Sequence, residues 1–114
     1  MNAIARRIGL GFAARGEVDE VVAWSQAARS AGLDSVWVHD SYFERDAVSY
    51  VSAIASELGA DESQDGFRIA AGALNPYTRH PVVLAMTGSA LDEMAPGRIV
   101  MGLGTGLPLR LKQM

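Results

Sequence analysis

Apolar residues in this chain fall into short dense runs, separated by longer stretches in which they recur every third or fourth position. The runs Ile8–Phe12, Ser35–Val38, Phe67–Ala71 and Arg98–Leu103 are too short for helices and read as strands, Ile8–Phe12 carrying Gly9 and Gly11 on one face. Between them, Val18, Val21, Val22 and Ala28 mark a first helix, and Val48, Val51, Ile54 and Leu58 a second. Val82, Leu84 to Met86 and Leu91 mark a third. The punctuation agrees. Glu17, Asp19 and Glu20 suit the positive end of the first helix dipole, and Gly32 suits its C′ position. The second helix is expected from about Asp46 to Gly59, followed by the polar loop ADESQDG. Pro81 suits the first turn of the third, Gly88 weakens its interior, and Pro96-Gly97 makes the next turn.

The strands begin near 8, 36, 67 and 99, so each strand-plus-helix unit takes about 30 residues. That repeat predicts an α/β fold of parallel (β/α) units, because right-handed crossovers set successive strands parallel. Pattern alone leaves a barrel and an open doubly wound sheet equally available. Residues 1–114 read as one domain, and LPLRLKQM stands where a fourth helix should begin. A (β/α)8 barrel takes eight units and roughly 250 residues, so the expectation is a truncated N-terminal half with open edges.

Composition narrows the function classes. Apolar residues make up 49% and charged residues 20% of the 114, the balance of a globular chain. No apolar run approaches a membrane span. Arg6-Arg7 precedes only a seven-residue apolar stretch and no cleavage-like site, so it reads as the approach to a strand in a cytoplasmic protein. Without cysteine there are no disulfides, thiolate nucleophiles or zinc-thiolate sites. His39 and His80 fit no metal-ligand spacing. A net charge of −3 argues against nucleic acid as a partner. The charge is uneven: residues 1–66 carry five arginines against eleven acids, while residues 67–114 carry four arginines and Lys112 against Asp92 and Glu93. Such asymmetry suits an anionic small molecule, or simply scattered solvated charge.

Candidate chemistry gathers at the carboxyl ends of the strands, where parallel α/β folds bind ligands. The run FRIAAGALNPYTRHP feeds a strand through Gly72 and the turn-former Asn75-Pro76 into a helix. Asp40 closes the second strand, as a site carboxylate or as a cap for the next helix. Gly102, Gly104 and Gly106 alternate after the fourth strand, but with no acidic residue some 20 positions on they are not a dinucleotide fingerprint. No Ser-His-Asp constellation is suggested.

The string NPYTRHP, a following helix with LDE, and then APGRIVMGLGTG resemble the bacterial luciferase-like superfamily, in particular its coenzyme F420 (deazaflavin) branch with the methylene-tetrahydromethanopterin reductases. The resemblance covers essentially the whole chain and only the first half of such an enzyme. It implies a TIM barrel and a hydride-transferring oxidoreductase acting on a small organic substrate. It places Asp40 and Ser41 at the catalytic position, and Gly72, Ala73, Leu74, Asn75, Gly104, Thr105 and Gly106 against the cofactor with Asp40. It also implies a cis peptide between Gly72 and Ala73. Three departures stand out: Ser41 where several members use histidine, Leu107 where sugar-phosphate dehydrogenases carry an acid, and Gly11 where reductases carry a glutamate. Neither named activity therefore carries over. The alternatives are FMN in place of F420, as in the flavin monooxygenases, or a cofactor-free remnant acting by association. A homo-oligomer, or the remainder of the barrel, is the expected protein partner. The 114-residue chain alone is expected to bind no cofactor tightly and to be inactive.

Overall fold

The computed structural model describes residues 7–59, 65–106, 108 and 112. Along the chain run β1 (Gly9–Ala13), α1 (Val18–Ser30), β2 (Ser35–His39) and α2 (Ala47–Leu58). They are followed by β3 (Arg68–Leu74), α3 (Pro81–Met94) and β4 (Ile99–Leu103). The four strands form one sheet in the order β1-β2-β3-β4, every neighbouring pair parallel. This sequential order is that of a barrel segment; a doubly wound sheet would have reversed direction about its first strand.

Each helix is started and stopped by identifiable chemistry. Gly32, at φ 87°, ends α1: its N–H donates to Arg29 O and that of Leu33 to Ala28 O, the two bonds of a Schellman closure. Asp46 caps α2 by accepting from the Ser49 backbone N–H at 3.0 Å. His80 caps α3 through Nδ1, which accepts from Val82 N at 3.1 Å, and Pro81 takes the first helical position. Gly59 stops α2 for a reason other than backbone handedness, since its φ is −78°. A Cβ there would meet the Ala55 and Met94 carbonyl oxygens at 2.4 Å and the Ala95 Cβ at 2.5 Å, so the end of α2 packs directly onto the end of α3.

The core lies on one face of the sheet. Val36, Val38, Ile69, Ala71 and Leu74 are fully buried there. They share a cluster with Val21 of α1, Val51, Ile54 and Leu58 of α2, and Leu84 and Leu91 of α3. Val48 is only partly covered, and Val82, Val83 and Met86 of α3 are exposed. Helical spacing marked α3 correctly, but only Leu84 and Leu91 of its apolar residues are buried. Among the described residues no helix is long and apolar enough to cross a membrane.

The opposite face is built differently. Strand alternation places Gly9 and Gly11 of β1, Ser35, Trp37 and His39 of β2, Ala70 and Gly72 of β3, and Val100 and Gly102 of β4 on that side. In a closed barrel this is the interior. It is floored by glycine, and the side chain that fills it is Trp37. A Cβ at Gly9 would lie 3.3 Å from the Trp37 ring, one at Gly72 3.0 Å and one at Gly102 3.6 Å. The indole N–H donates to Ser35 Oγ at 3.1 Å, which holds the ring across the strands.

Candidate functional site

At the carboxyl end of the sheet, β3 departs from regular pairing. Its register with β4 shifts between Ala71 and Leu74, and the Gly72–Ala73 peptide inside that shift is cis, as the sequence resemblance implies. Ala73 is exposed beside buried Gly72 and Leu74. Gly104 crosses the bulge so closely that a Cβ on it would stand 3.1 Å from Ala73 Cβ, and its N–H donates to Leu74 O at 3.0 Å. A strip of backbone with few side chains results, in which Gly72 is buried against the Trp37 ring while Ala73 and Gly104 stay accessible.

Asn75 organises the loops around the strip. It is 3% exposed. Its amide Nδ2 donates to the Thr105 carbonyl at 2.9 Å and to the Tyr42 hydroxyl. Oδ1 accepts from Tyr77 N at 2.7 Å, while its backbone carbonyl accepts from Thr78 N and Arg79 N. One side chain thus ties the β3–α3 turn to the loop after β4 and the loop after β2. Gly106 completes this corner at φ 76°, where a Cβ would lie 3.5 Å from the Tyr42 hydroxyl.

Asp40 is engaged by a partner that the sequence reading did not assign. Arg79 grips it with two parallel bonds, Nε to Oδ2 and Nη2 to Oδ1, both 3.1 Å. The same Nη2 also donates to Asp46, the cap of α2. The Asp40 and Arg79 side chains retain only 13% and 20% of their exposure, so the pair is partly desolvated. The hydrogen bond to Asp40 raises the Arg79 pKa above its already high value against the opposing cost of burial. Burial pushes the Asp46 carboxyl up, but hydrogen bonds from Arg79 and Ser49 outweigh it and leave the group below the usual range. Asp40 is therefore an oriented, charge-paired acceptor, with lone pairs left for a ligand.

Of the residues singled out from sequence, Gly72, Ala73, Leu74 and Gly104 share the bulge, and Asn75, Thr105 and Gly106 share the polar network. Ser41 is exposed, and its backbone carbonyl closes a turn to Glu44 N. Leu107 lies outside the described residues, as do Arg6, residues 60–64 of the polar loop and most of LPLRLKQM. Sequence reasoning missed Arg79, Asp46 and Tyr42. A signal for Arg79 was present: it sits in the loop after β3, beside the loop that carries Asp40, and opposite charges on neighbouring loops tend to pair.

A sequence profile described as luciferase-like monooxygenase matches residues 5–110. The 5,10-methylenetetrahydromethanopterin reductase of Methanolobus tindarius is 30% identical over 98 residues, covering 86% of this chain and 28% of the reductase. An F420-dependent glucose-6-phosphate dehydrogenase of Beutenbergia cavernae is 33% identical over 90 residues, covering 76% of this chain and 27% of that enzyme. In three dimensions the chain superposes on the coenzyme F420 dependent tetrahydromethanopterin reductase of Methanopyrus kandleri with a TM-score of 0.80 at 23% identity. That match covers 95% of this chain and 29% of the reductase. A monooxygenase of Streptomyces bottropensis superposes with a TM-score of 0.76, also at 23% identity, over 95% of this chain and 36% of its own. The chain spans less than a third of the length of these curated relatives.

Proposed function

The chain belongs to the luciferase-like monooxygenase family, and from that membership we propose that it contributes the first four strands of an F420-dependent oxidoreductase barrel acting on a small organic substrate. The observation that carries this reading is the bare backbone strip of Gly72, Ala73 and Gly104 at the carboxyl end of β3 and β4. A flat ring needs a surface from which side chains do not project, and packing enforces one here. Trp37 closes one side of Gly72 and Ala73 crowds Gly104. The residues present therefore fit the ring end of a deazaflavin. The names of the sequence relatives favour F420 over FMN, which the wider family also accommodates.

In this reading Gly72, Ala73, Leu74 and the Gly104–Gly106 loop back the ring. Asn75 fixes the two loops that frame it, and the Asp40–Arg79 pair presents a rigid polar edge. The deazaflavin, when bound, supplies the hydride chemistry; the protein orients the reactants and excludes water. Leu107 stands where the sugar-phosphate dehydrogenases carry an acid and Gly11 where the reductases carry a glutamate, so neither activity named for the relatives is carried over to this chain. The open edges of β1 and β4 would be covered by the remainder of a barrel or a second copy of the chain.

Barrel enzymes commonly hold a cofactor's phosphate with loops after strands seven and eight. The 114-residue chain should therefore bind F420 only through the ring end, in the millimolar range, and turn over no substrate. Titrating isotope-labelled chain with F420 and with FMN, while following backbone amide shifts, tests the reading. Shifts confined to residues 40, 72–75, 79 and 104–106 and their immediate chain neighbours, larger with F420, are expected. Stronger FMN binding, or shifts elsewhere, would overturn it.

A further inference from the structure

The ring site lies at the carboxyl end of the sheet. The amino end holds a separate cavity of about 440 Å³, lined in part by Arg7, Gly9, Asp34, Ser35, Trp37 and Arg68. Two backbone bonds set its rim. Asp34 N–H donates to Ile8 O at 3.0 Å, and Arg68 N–H donates to Asp34 O at 2.9 Å. The starts of β1, β2 and β3 thereby bring Arg7, Asp34 and Arg68 to one edge of the sheet.

These side chains have hydrogen-bonding capacity that the fold leaves unused. Ser35 is only 7% exposed, and its Oγ accepts the Trp37 indole N–H at 3.1 Å, which leaves the hydroxyl proton to donate. Glycine at 9 keeps that hydroxyl in place, since a Cβ there would stand 2.3 Å from Ser35 Oγ. Asp34 Oδ1 is buried and has no hydrogen-bond partner among the described residues. The amino face of a barrel ordinarily serves stability, and a buried carboxylate oxygen without a donor does the opposite. Arg7 and Arg68 are exposed, and neither forms an ion pair among the described residues. The cavity therefore sets two guanidinium groups and a hydroxyl donor against one carboxylate acceptor.

We propose that this cavity binds a small oxyanion that keeps a proton, of which inorganic phosphate is the simplest. Its charged oxygens accept from Arg7, Arg68 and Ser35, and its remaining P–O–H donates to Asp34 Oδ1. A fully deprotonated anion of the same shape cannot make that last bond and sets an oxygen against the carboxylate. The site stands apart from the ring-site reading: of the lining residues named, only Trp37 also meets the Gly72 strip.

The test titrates the isotope-labelled 114-residue chain with inorganic phosphate at neutral pH and constant low ionic strength. Sulfate, equally tetrahedral but without a proton, is the comparison. Backbone amides at 7–9, 34–35 and 68 and the Trp37 indole N–H should move with phosphate, while the Trp24 indole stays still as an internal control. Sulfate should bind at least about tenfold more weakly, and Arg68→Ala should raise the phosphate Kd about tenfold. Asp34→Asn, whose amide can donate, should abolish the preference by tightening sulfate. Equal binding of the two anions by the wild-type chain would overturn the proposal, as would no shift at all. Shifts at 40, 79 and 104–106 instead would place phosphate at the carboxyl end and overturn it too. Should Asp34→Asn fail to fold, the wild-type comparison of phosphate with sulfate decides. None of these outcomes touches the ring-site reading, which the F420 titration tests separately.

Discussion

The two ends of the sheet each carry a cluster of arginines and acids, and the clusters are composed in opposite ways. At the amino end, one carboxylate serves two guanidinium groups. Asp65 receives Arg29 Nε at 2.5 Å and Arg98 Nη1 at 2.9 Å, and also accepts from Phe67 N. Arg98, only 8% exposed, donates to Phe67 O as well, Arg29 reaches Leu58 O, and the Arg29 guanidinium stacks over the Phe67 ring at 5.8 Å. At the carboxyl end, one guanidinium serves two carboxylates, Asp40 and Asp46. The lower cluster is bonded into backbone carbonyls of α2 and the turn before β3, whereas the Arg79 guanidinium, among the described residues, bonds the Asp40 and Asp46 side chains. Barrels keep stability at the amino face and chemistry at the carboxyl face, and here the division is visible in bonding partners.

The contrast predicts where substitutions hurt. Gly59→Ala, at the amino end, should cost most, about 3 kcal/mol, because its Cβ meets two backbone oxygens that cannot yield cheaply. Denaturant unfolding measures it, and a cost under about 1 kcal/mol would show that the α2–α3 packing is loose. Arg98→Ala should follow at roughly 2 kcal/mol, since Phe67 O and Asp65 lose a buried donor. Arg79→Ala should cost only about 1 kcal/mol, because its guanidinium ties loop side chains together and holds no backbone carbonyl of a helix or strand. Its main effect should be on ligand binding, through loss of Asp40 orientation. If Arg79→Ala destabilised more than Arg98→Ala, the division between the two ends would fail.

The smallest effect is on acid stability. Hydrogen bonds from Arg29 and Arg98, working against some burial, hold the Asp65 carboxyl well below the usual carboxylate range, and Asp46 is lowered less. A group whose folded pKa is depressed stabilises fully above its unfolded value, about 3.9, and loses that contribution as pH falls through the folded value. Stability should therefore decline below about pH 4. Asp65→Asn should flatten that decline more than Asp46→Asn, as read from denaturant midpoints between about pH 5 and 2. Asp65 is 39% exposed, so added salt should shrink the difference.

Most of the fold was legible because a thirty-residue repeat of strand and helix admits few topologies. Gly32, Asp46 and Pro81 each carried a local signal that tertiary structure left intact. The glycines of the bulge and of the loop after β4 were equally readable. Other features were not. Val82, Val83 and Met86 share helical spacing with Leu84 and Leu91, and spacing cannot say which flank of a helix lacks a neighbour. Gly59 looked like a conformational stop, yet it is a steric one, set by Met94 and Ala95 some 35 positions away. Asn75 looked like a turn residue, and its reach to Thr105 and Tyr42 depends on loops that meet only after the strands pair.

The glycine floor beneath Trp37 also makes the protein its own optical instrument. Of the two tryptophans, Trp24 lies on α1, 46% exposed and edge-on to Phe12 at 5.9 Å, while Trp37 looks into the barrel interior. Replacing Trp24 with Phe would leave a single emitter, fixed by its bond to Ser35 and a few ångströms from the backbone of Gly72. A chromophore laid on the neighbouring strip would drain that emission by energy transfer, and a colourless ligand would only shift its wavelength. The indole that fills the interior thus reports, without any label, whether a coloured ring has arrived there.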